Sequence, residues 1–273
     1  MNFEDSMYNC STAMNDSPLW KVMEKAYDEG TRYLHVPADS MQVNKIPKVL
    51  HQFWHGGPLP EKYKQLTDMW RAMHPDWEYV LWNEEKVAQF GLTNKWMYEN
   101  MKNPSAKSDV VRYEVVYAYG GVYVDTDFLP CKNLNELLYL DLFCGIVGSY
   151  DNSLKEAETC IAPSIFGASQ GNKILEKIIT KVGQQKTVPR SIPEIMTITG
   201  PEMFSREILA DMEKSPLTVA FPPNYFYPFP GQQRLNIREM SLEDTKRYVN
   251  RYIYPDTYAM HLWYCSWQKR ELL

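Results

Sequence analysis

SAKSDVVRYEVVYAYGGVYVDTDFLP, Ser105 to Pro130, reads as a helix, a glycine break and a short strand that ends on two carboxylates. Ala106, Val110, Tyr113 and Tyr117 recur at helical spacing and make a face for a core. Asp109 and Arg112, three residues apart, share another face of the same helix. Gly120 and Gly121 end it, because glycine takes the left-handed conformation of a helix C-terminus at little cost. Val122, Tyr123 and Val124 then suit a buried strand that delivers Asp125 and Asp127 at its end. Residues two apart in an extended chain point to one side, about 6–7 Å apart along the strand. Two carboxylates projected together beside bulky apolar residues are costly unless a cation or polar ligand compensates. An Asp-Thr-Asp of this kind suits a hard divalent ion that keeps positions open for phosphate oxygens. D-x-D alone is common and reads as a solvated turn; the Ser-Asp-x-x-Arg helix and the Gly-Gly break ahead of it favour the ion site.

Upstream, Ile46 to Trp54 (IPKVLHQFW) reads as a first buried strand, closed by His55-Gly56-Gly57-Pro58. Glu61 to Met73 is helical, with Tyr63, Leu66, Trp70 and Met73 on one side. Trp77 to Trp82 is a second strand and Asn83 to Phe90 a second helix. Strands alternating with helices predict an α/β fold with a mostly parallel central sheet flanked by helices. Ligands of such sheets bind beyond the carboxyl ends of the strands, which puts Trp54, Asn83 and the Asp125/Asp127 pair around one crevice. Trp54 is then either a core tryptophan or a platform under a nucleobase. Asn83 either reaches the nucleotide or caps the helix that follows it.

Downstream, Asn133 to Tyr139 reads as a short helix, Leu142 to Val147 and Ile161 to Phe166 as strands, and Asn172 to Val182 as an amphipathic helix. Thr199-Gly200-Pro201 opens another helix, either as a structural turn or with its free N–H groups turned to a sugar. Phe221 to Pro230 (FPPNYFYPFP) is predicted to be neither helix nor central strand, walling an acceptor groove or covering the core. Residues 1–44 form a polar lead-in around one helix, with Ser17 as cap, Pro18 in the first turn, Gly30 at the end and a packing stripe of Trp20, Met23 and Tyr27.

The chain of 273 residues fits one large α/β domain or a domain with a small appendage. A formal net charge of −5 with no basic run argues against a nucleic-acid surface. No apolar run approaches the roughly 20 residues of a membrane span, and the N-terminus lacks a signal-peptide core. The five cysteines, Cys10, Cys131, Cys144, Cys160 and Cys265, are scattered without metal spacing and read as free thiols of a reducing compartment.

S-D-x-x-R followed by Y-x-Y-G-G-V-Y-x-D-T-D resembles the core signature of glycosyltransferase family 32, the enzymes with a DXD sugar-binding region. The resemblance runs from about Ile46 to Trp267 and implies a GT-A glycosyltransferase fold with a Rossmann-like sheet over residues 45–273. The nucleotide-binding half would be about 45–130 and the acceptor-side half about 131–273. It further implies a retaining hexosyltransferase that uses a nucleotide-diphosphate sugar, with a uridine donor preferred and GDP-mannose as the alternative. Asp109, Arg112, Asp125 and Asp127 would be the catalytic set. Trp54, Asn83, Asp109, Arg112, Tyr123, Asp125, Ser266 and Trp267 would contact the donor. The tail His261-x-Trp263-x-x-Ser266-Trp267 is similar to the family's terminal H-x-W-x-x-S-W. A neutral imidazole at His261 would complete, with Asp125 and Asp127, the coordination of Mn²⁺, or of Mg²⁺ as the alternative ion. The acceptor would be a glycan, lipid or protein, and the expected setting is a bacterial cytoplasm or that of a virus-infected cell. Two rival readings are a haloacid-dehalogenase-type phosphatase with Asp125 as nucleophile and a nucleotide-sugar-binding protein without turnover. Against the phosphatase, position 129 is Leu where that motif prefers Thr or Val, and no downstream lysine and paired-acid motif follows.

Overall fold

A computed structural model describes residues 2–7, 18–34, 43–147, 160–215 and 217–265. Two N-terminal helices, α1 (Phe3–Ser6) and α2 (Pro18–Gly30), precede the first β–α–β unit of β1 (Val49–Phe53), α3 (Glu61–Met73) and β2 (Glu78–Trp82). Three helices, α4 (Glu84–Phe90), α5 (Lys95–Asn100) and α6 (Pro104–Tyr119), lead into β3 (Gly121–Val124) and β4 (Phe128–Pro130). The chain continues through β5 (Leu142–Val147), β6 (Cys160–Ala168), α7 (Lys173–Gly183), α8 (Ile192–Ile198), α9 (Pro201–Met212) and β7 (Thr218–Phe221). It closes with α10 (Pro223–Phe226), α11 (Arg234–Ile237), α12 (Leu242–Val249) and β8 (Ala259–His261).

The main sheet has the order β2-β1-β3-β6-β5-β7. β1 pairs in parallel with β2 and β3, and β5 with β7, while β6 runs antiparallel to both β3 and β5. The mostly parallel sheet predicted from the alternation of elements is therefore present, with one reversed strand at its centre. Parallel neighbours need a helical crossover: α3 joins β1 to β2, and α4 to α6 carry the chain from β2 past β1 to β3 on its other side. Helices α6, α9 and α2 pack in turn on β1 and β3, on β6, and on β7. A second, two-stranded sheet pairs β4 with β8 antiparallel. It carries its own apolar cluster, which includes Leu66, Leu129, Phe229, Val249, Met260 and Leu262.

The helix–glycine–strand reading holds in detail. Pro104 sits in the first turn of α6, and the Asn103 side chain accepts the Ser105 N–H at 2.8 Å. Every residue from Ala106 to Val116 is buried, so α6 is a central helix wrapped by protein rather than an amphipathic surface one. At its end, Gly121 has φ +100°, and a Cβ there would lie 2.5 Å from the Val49 carbonyl oxygen. β1 can approach β3 only because that atom is missing. Gly121→Ala is expected to cost about 2–3 kcal/mol in a urea melt, from left-handed strain plus displacement of β1; a variant as stable as the native chain would contradict this close approach.

Two predicted elements need correction. Asn133 to Tyr139 yields only one 3₁₀ turn, Asn135–Leu137, and the Asn133 side chain accepts the Asn135 N–H at 2.8 Å. The aromatic–proline run is not structureless: Phe221 ends β7 in register with Gly145, and Pro223–Phe226 forms α10, which lies between β5 and β8. Pro222 and Pro223 fall just beyond the strand and in the first turn of the helix, where no ladder N–H is needed, and Pro228 and Pro230 follow the helix. Trp20, Met23 and Tyr27 of α2 are buried in the same core as α6. Ser17, Cys10 and the 266–267 pair lie outside the described residues.

Candidate active site

The end of β3 delivers Asp125 against a buried hydrogen-bonded network rooted in α6. Asp125 Oδ1 accepts the Tyr123 hydroxyl at 2.8 Å and lies 3.3 Å from Arg112 Nη2. Ser108 Oγ meets the Tyr123 hydroxyl at 2.7 Å and accepts from Arg112 Nη2 at 2.8 Å. Arg112 Nη1 donates to the Pro163 carbonyl at 2.7 Å, and the guanidinium stands 4.7 Å from the Tyr123 ring centroid. Asp109, one turn back along α6, has Oδ1 3.5 Å from Arg112 Nη2 and accepts the Thr199 hydroxyl on Oδ2 at 3.0 Å. Asp109 and Arg112 are both about 5 % exposed, whereas the Asp125 side chain keeps 28 % of its surface open. Arg112 spends its whole fork on protein partners, so it fixes the two acids and borders the crevice from behind.

The second acid is held from the C-terminal side. The β4–β8 pairing sets Phe128 opposite His261, and the Leu262 N–H donates to the Asp127 carbonyl at 3.0 Å. This register brings His261 Nε2 within 3.1 Å of Asp127 Oδ1, and the Tyr264 N–H donates to Oδ2 at 3.0 Å. The imidazole stacks on Phe128 at 4.6 Å and touches the Trp263 ring at 4.1 Å. Its Nδ1 is buried and has no hydrogen-bond partner. Trp263 and Cys265 take left-handed φ values of 54° and 44°, costly for side chains of this kind, so the tail turns sharply to present Tyr264 to Asp127.

Candidate ligand atoms of Asp125, Asp127 and His261 all lie within 4.8 Å of one another. Three such donors so close together would hold one divalent cation after a modest contraction. Two carboxylates with an imidazole suit a divalent ion of the Mn²⁺ type, and the orphaned imidazole nitrogen is an observation that a structural histidine leaves unexplained. The residues fit the ion.

Electrostatics divide the three acids. Burial pushes Asp109 up to about 7, only partly offset by Arg112 and the Thr199 hydroxyl. Burial also raises Asp125 despite Arg112, with the Asp127 charge adding to the rise. Burial opposes ionisation of Asp127 as well, but the His261 imidazole and the Tyr264 N–H outweigh it and hold this carboxyl below its usual range. Asp127 is thus the carboxylate prepared to stay charged.

At the other strand ends, Trp54 follows β1, with its ring tilted 5.0 Å from Tyr63 and its indole N–H buried without a partner. It is half-buried and belongs to neither of the two apolar clusters. Asn83 caps α4, its side chain accepting the Lys86 N–H at 3.0 Å. Tyr123 is fully buried and reaches the site only through its hydroxyl. Two contributors are absent from the sequence reading, Trp263 as the ring beside His261 and the Tyr264 backbone N–H. The first lies within the tail motif; a backbone donor leaves no signal in residue types.

Residues 60–143 match the family described as a glycosyltransferase sugar-binding region containing a DXD motif. Inositol phosphoceramide mannosyltransferase 3 of Schizosaccharomyces pombe is 30 % identical over 144 residues, covering 51 % of this chain and 38 % of the relative. Mannosyl phosphorylinositol ceramide synthase SUR1 of Saccharomyces cerevisiae is 34 % identical over 102 residues, covering 36 % and 27 %. The matched segments thus span about a third of the length of these relatives. The ligand-free glycosyltransferase domain of the YGT toxin superposes with a TM-score of 0.50 at 12 % identity, covering 65 % of this chain and 80 % of that one, a likeness of fold. With the DXD acids at the end of β3 and the Ser-Asp-x-x-Arg helix packed behind them, the match over residues 60–143 and the mannosyltransferase relatives support a glycosyltransferase family 32 assignment.

Proposed function

We propose that the protein is a metal-dependent, retaining hexosyltransferase that moves a sugar from a nucleotide-diphosphate donor to a hydroxyl of a glycan, lipid or protein acceptor. The observation that carries this reading is the convergence of Asp125, Asp127 and His261 within 4.8 Å beside the buried Asp109–Arg112 pair. Asp127 and His261 hold Mn²⁺ or Mg²⁺, and Asp125 supports it with the oxygen that Tyr123 and Arg112 leave open. The ion supplies Lewis-acid neutralisation of the charge that grows on the leaving diphosphate. Asp109 accepts a hydroxyl of the donor sugar, and Arg112 keeps both acids in place. Ser266 and Trp267 close over the donor from the tail, with the Trp267 indole N–H on a phosphate oxygen. Residues 45–130 form the nucleotide half and 131–273 the acceptor side. Trp54 stacks on the base, for which uridine is preferred; the names of the yeast relatives make GDP-mannose the alternative donor and an inositol phosphoceramide-type lipid a candidate acceptor. No helix among the described residues is long and apolar enough to cross a membrane. Free thiols at Cys131, Cys144, Cys160 and Cys265 suit a reducing compartment, and a cytoplasmic setting is part of this proposal.

The test is release or transfer of labelled sugar from UDP-glucose and GDP-mannose with Mn²⁺, after EDTA, and after Mn²⁺ is restored. Turnover that ignores EDTA would overturn the metal-dependent reading. Trp54→Ala is expected to weaken UDP or GDP binding about tenfold or more by calorimetry, since base–aromatic stacking contributes about 1–3 kcal/mol. Unchanged nucleotide affinity would place the base elsewhere.

A further inference from the structure

Glu84, the residue after the Asn83 cap, ties the end of β2 to the loop after β1 with one oxygen and leaves the other open. Its Oε1 accepts the Gly56 N–H at 2.8 Å and lies 2.9 Å from His55 Nδ1. Among the described residues no other residue bonds Oε2, and 46 % of the side chain is exposed. Burial opposes ionisation of Glu84, but the Gly56 N–H, its own N–H and the His55 ring outweigh it and hold the carboxyl below its usual range. Oε2 is therefore an open acceptor with no proton to offer in return.

Backbone register fixes where that carboxylate stands. Phe53 pairs with Trp82, and the Trp54 N–H donates to the Trp82 carbonyl at 2.9 Å, so Glu84 follows beside Trp54. On the other edge of β1, His51 pairs with Tyr123, which sets Phe53 level with Asp125. Gln52 Nε2 meets the Asp125 carbonyl there at 3.5 Å. In the order β3, β1, β2, the strand ends thus carry a cation ligand, the Trp54 ring and the Glu84 carboxylate. At the usual strand spacing β2 stands about 10 Å from β3. Trp54 meets Tyr63, and Tyr63 meets Tyr264, whose N–H holds Asp127, so a chain of rings runs from Trp54 to the second acid. Phe53 meets the His55 ring at 6.3 Å and the Tyr98 ring at 6.5 Å. The Tyr98 hydroxyl and the Trp54 indole N–H are both buried without a hydrogen-bond partner. Two orphaned polar groups around one strand end suit a ligand with polar edges.

A base stacked on Trp54, with its phosphates on the cation, turns its glycosidic bond toward β3 and its opposite edge toward β2. In uracil that edge carries N3–H and in guanine N1–H, each a donor beside a carbonyl. Cytosine and adenine carry a bare ring nitrogen, an acceptor, at the same place. We propose that Glu84 reads the base of the donor, its open oxygen accepting the ring N–H of uracil or guanine. This deepens the transferase reading and rests on it, with Trp54 as the base platform. A bare ring nitrogen facing the carboxylate sets acceptor against acceptor, so cytidine and adenosine donors are rejected.

Calorimetry of the full chain with UDP, CDP, GDP and ADP, each with Mn²⁺, tests the contact in the native protein and in Glu84→Gln. The glutamine oxygen keeps the Gly56 N–H, and its NH₂ takes the place of the open oxygen, which turns an acceptor into a donor. The native protein is expected to bind UDP about tenfold or more tighter than CDP, or GDP about tenfold or more tighter than ADP, and the variant to lose that preference. Loss of the UDP preference assigns uracil, and loss of the GDP preference assigns guanine. A variant that weakens all four nucleotides alike acts only by holding the Gly56 loop, and that result overturns the contact. A native protein that binds the four equally, or a variant that keeps the native preference, overturns it too. In each of those cases nucleotide binding leaves the transferase reading standing, whereas a native protein that binds none of the four overturns both.

Discussion

Asp127→Asn is expected to lower Mn²⁺ affinity more than tenfold and sugar transfer by about a thousandfold, with little change in melting temperature. The carboxylate is the one acid of the site held below its usual pKa range, and both of its oxygens are already oriented, Oδ1 by His261 and Oδ2 by the Tyr264 N–H. An amide of the same shape fills the space but carries no charge, and its NH₂ must face one of those two donors. The Tyr264 N–H cannot reverse its role, so the amide oxygen is expected to keep that contact and turn its NH₂ to His261 Nε2. The fold then survives while the cation loses its charged ligand. Lewis-acid stabilisation of a leaving diphosphate is worth several kcal/mol, and each 1.4 kcal/mol is about a factor of ten, which gives the thousandfold figure. Transfer from labelled UDP-glucose and GDP-mannose, alongside Mn²⁺ titration, measures both effects. Native rates in a variant that no longer binds the ion would remove the metal from the mechanism.

What the amino-acid order reveals about this site follows the range of the forces involved. Helix α6, the glycine break and β3 are local events, set by periodicity, by the Asn103–Pro104 start and by glycines that tolerate positive φ, so their residues announce them. The Asp125/Asp127 pair is legible for the same reason. His261 is different: 134 residues separate it from Asp127, and only the β4–β8 register sets them side by side. Only the resemblance of the tail to H-x-W-x-x-S-W points to it. The reversal of β6 is likewise silent, because a buried strand pairs in either direction with the same apolar residues. Nor does the sequence disclose the left-handed turns at Trp263 and Cys265, since neither residue type favours that region. That strain persists next to a set of candidate metal ligands, where the surrounding packing over-determines the backbone.

Arg112→Met is expected to be the most destabilising single change near the site, by about 3–5 kcal/mol at pH 8, because it strands buried carboxylates without their cation. The guanidinium is 4 % exposed and lies 3.3 Å from Asp125 and 3.5 Å from Asp109. Asp109 already sits at about 7 with the arginine present, and burial drives it higher once the arginine is gone. A carboxyl whose folded pKa lies above its unfolded value of 3.8 keeps its proton in the native state while the unfolded chain has released it. The native state therefore loses stability as pH climbs from about 4 through the folded pKa. Removing Arg112 widens that window upward, so the gap between variant and native protein should be largest at pH 8 and shrink toward pH 5, where both acids of the pair can protonate. Arg112→Lys restores a charge but not the fork that reaches the Pro163 carbonyl and Ser108 together, and it should recover only part of the loss. Urea melts of the three proteins at pH 5 and pH 8 measure this directly. A gap that stays constant between those two values would mean that the buried acids are not what Arg112 stabilises, and the network behind the sugar-binding motif would then rest on its hydrogen bonds to Ser108 and Pro163 alone.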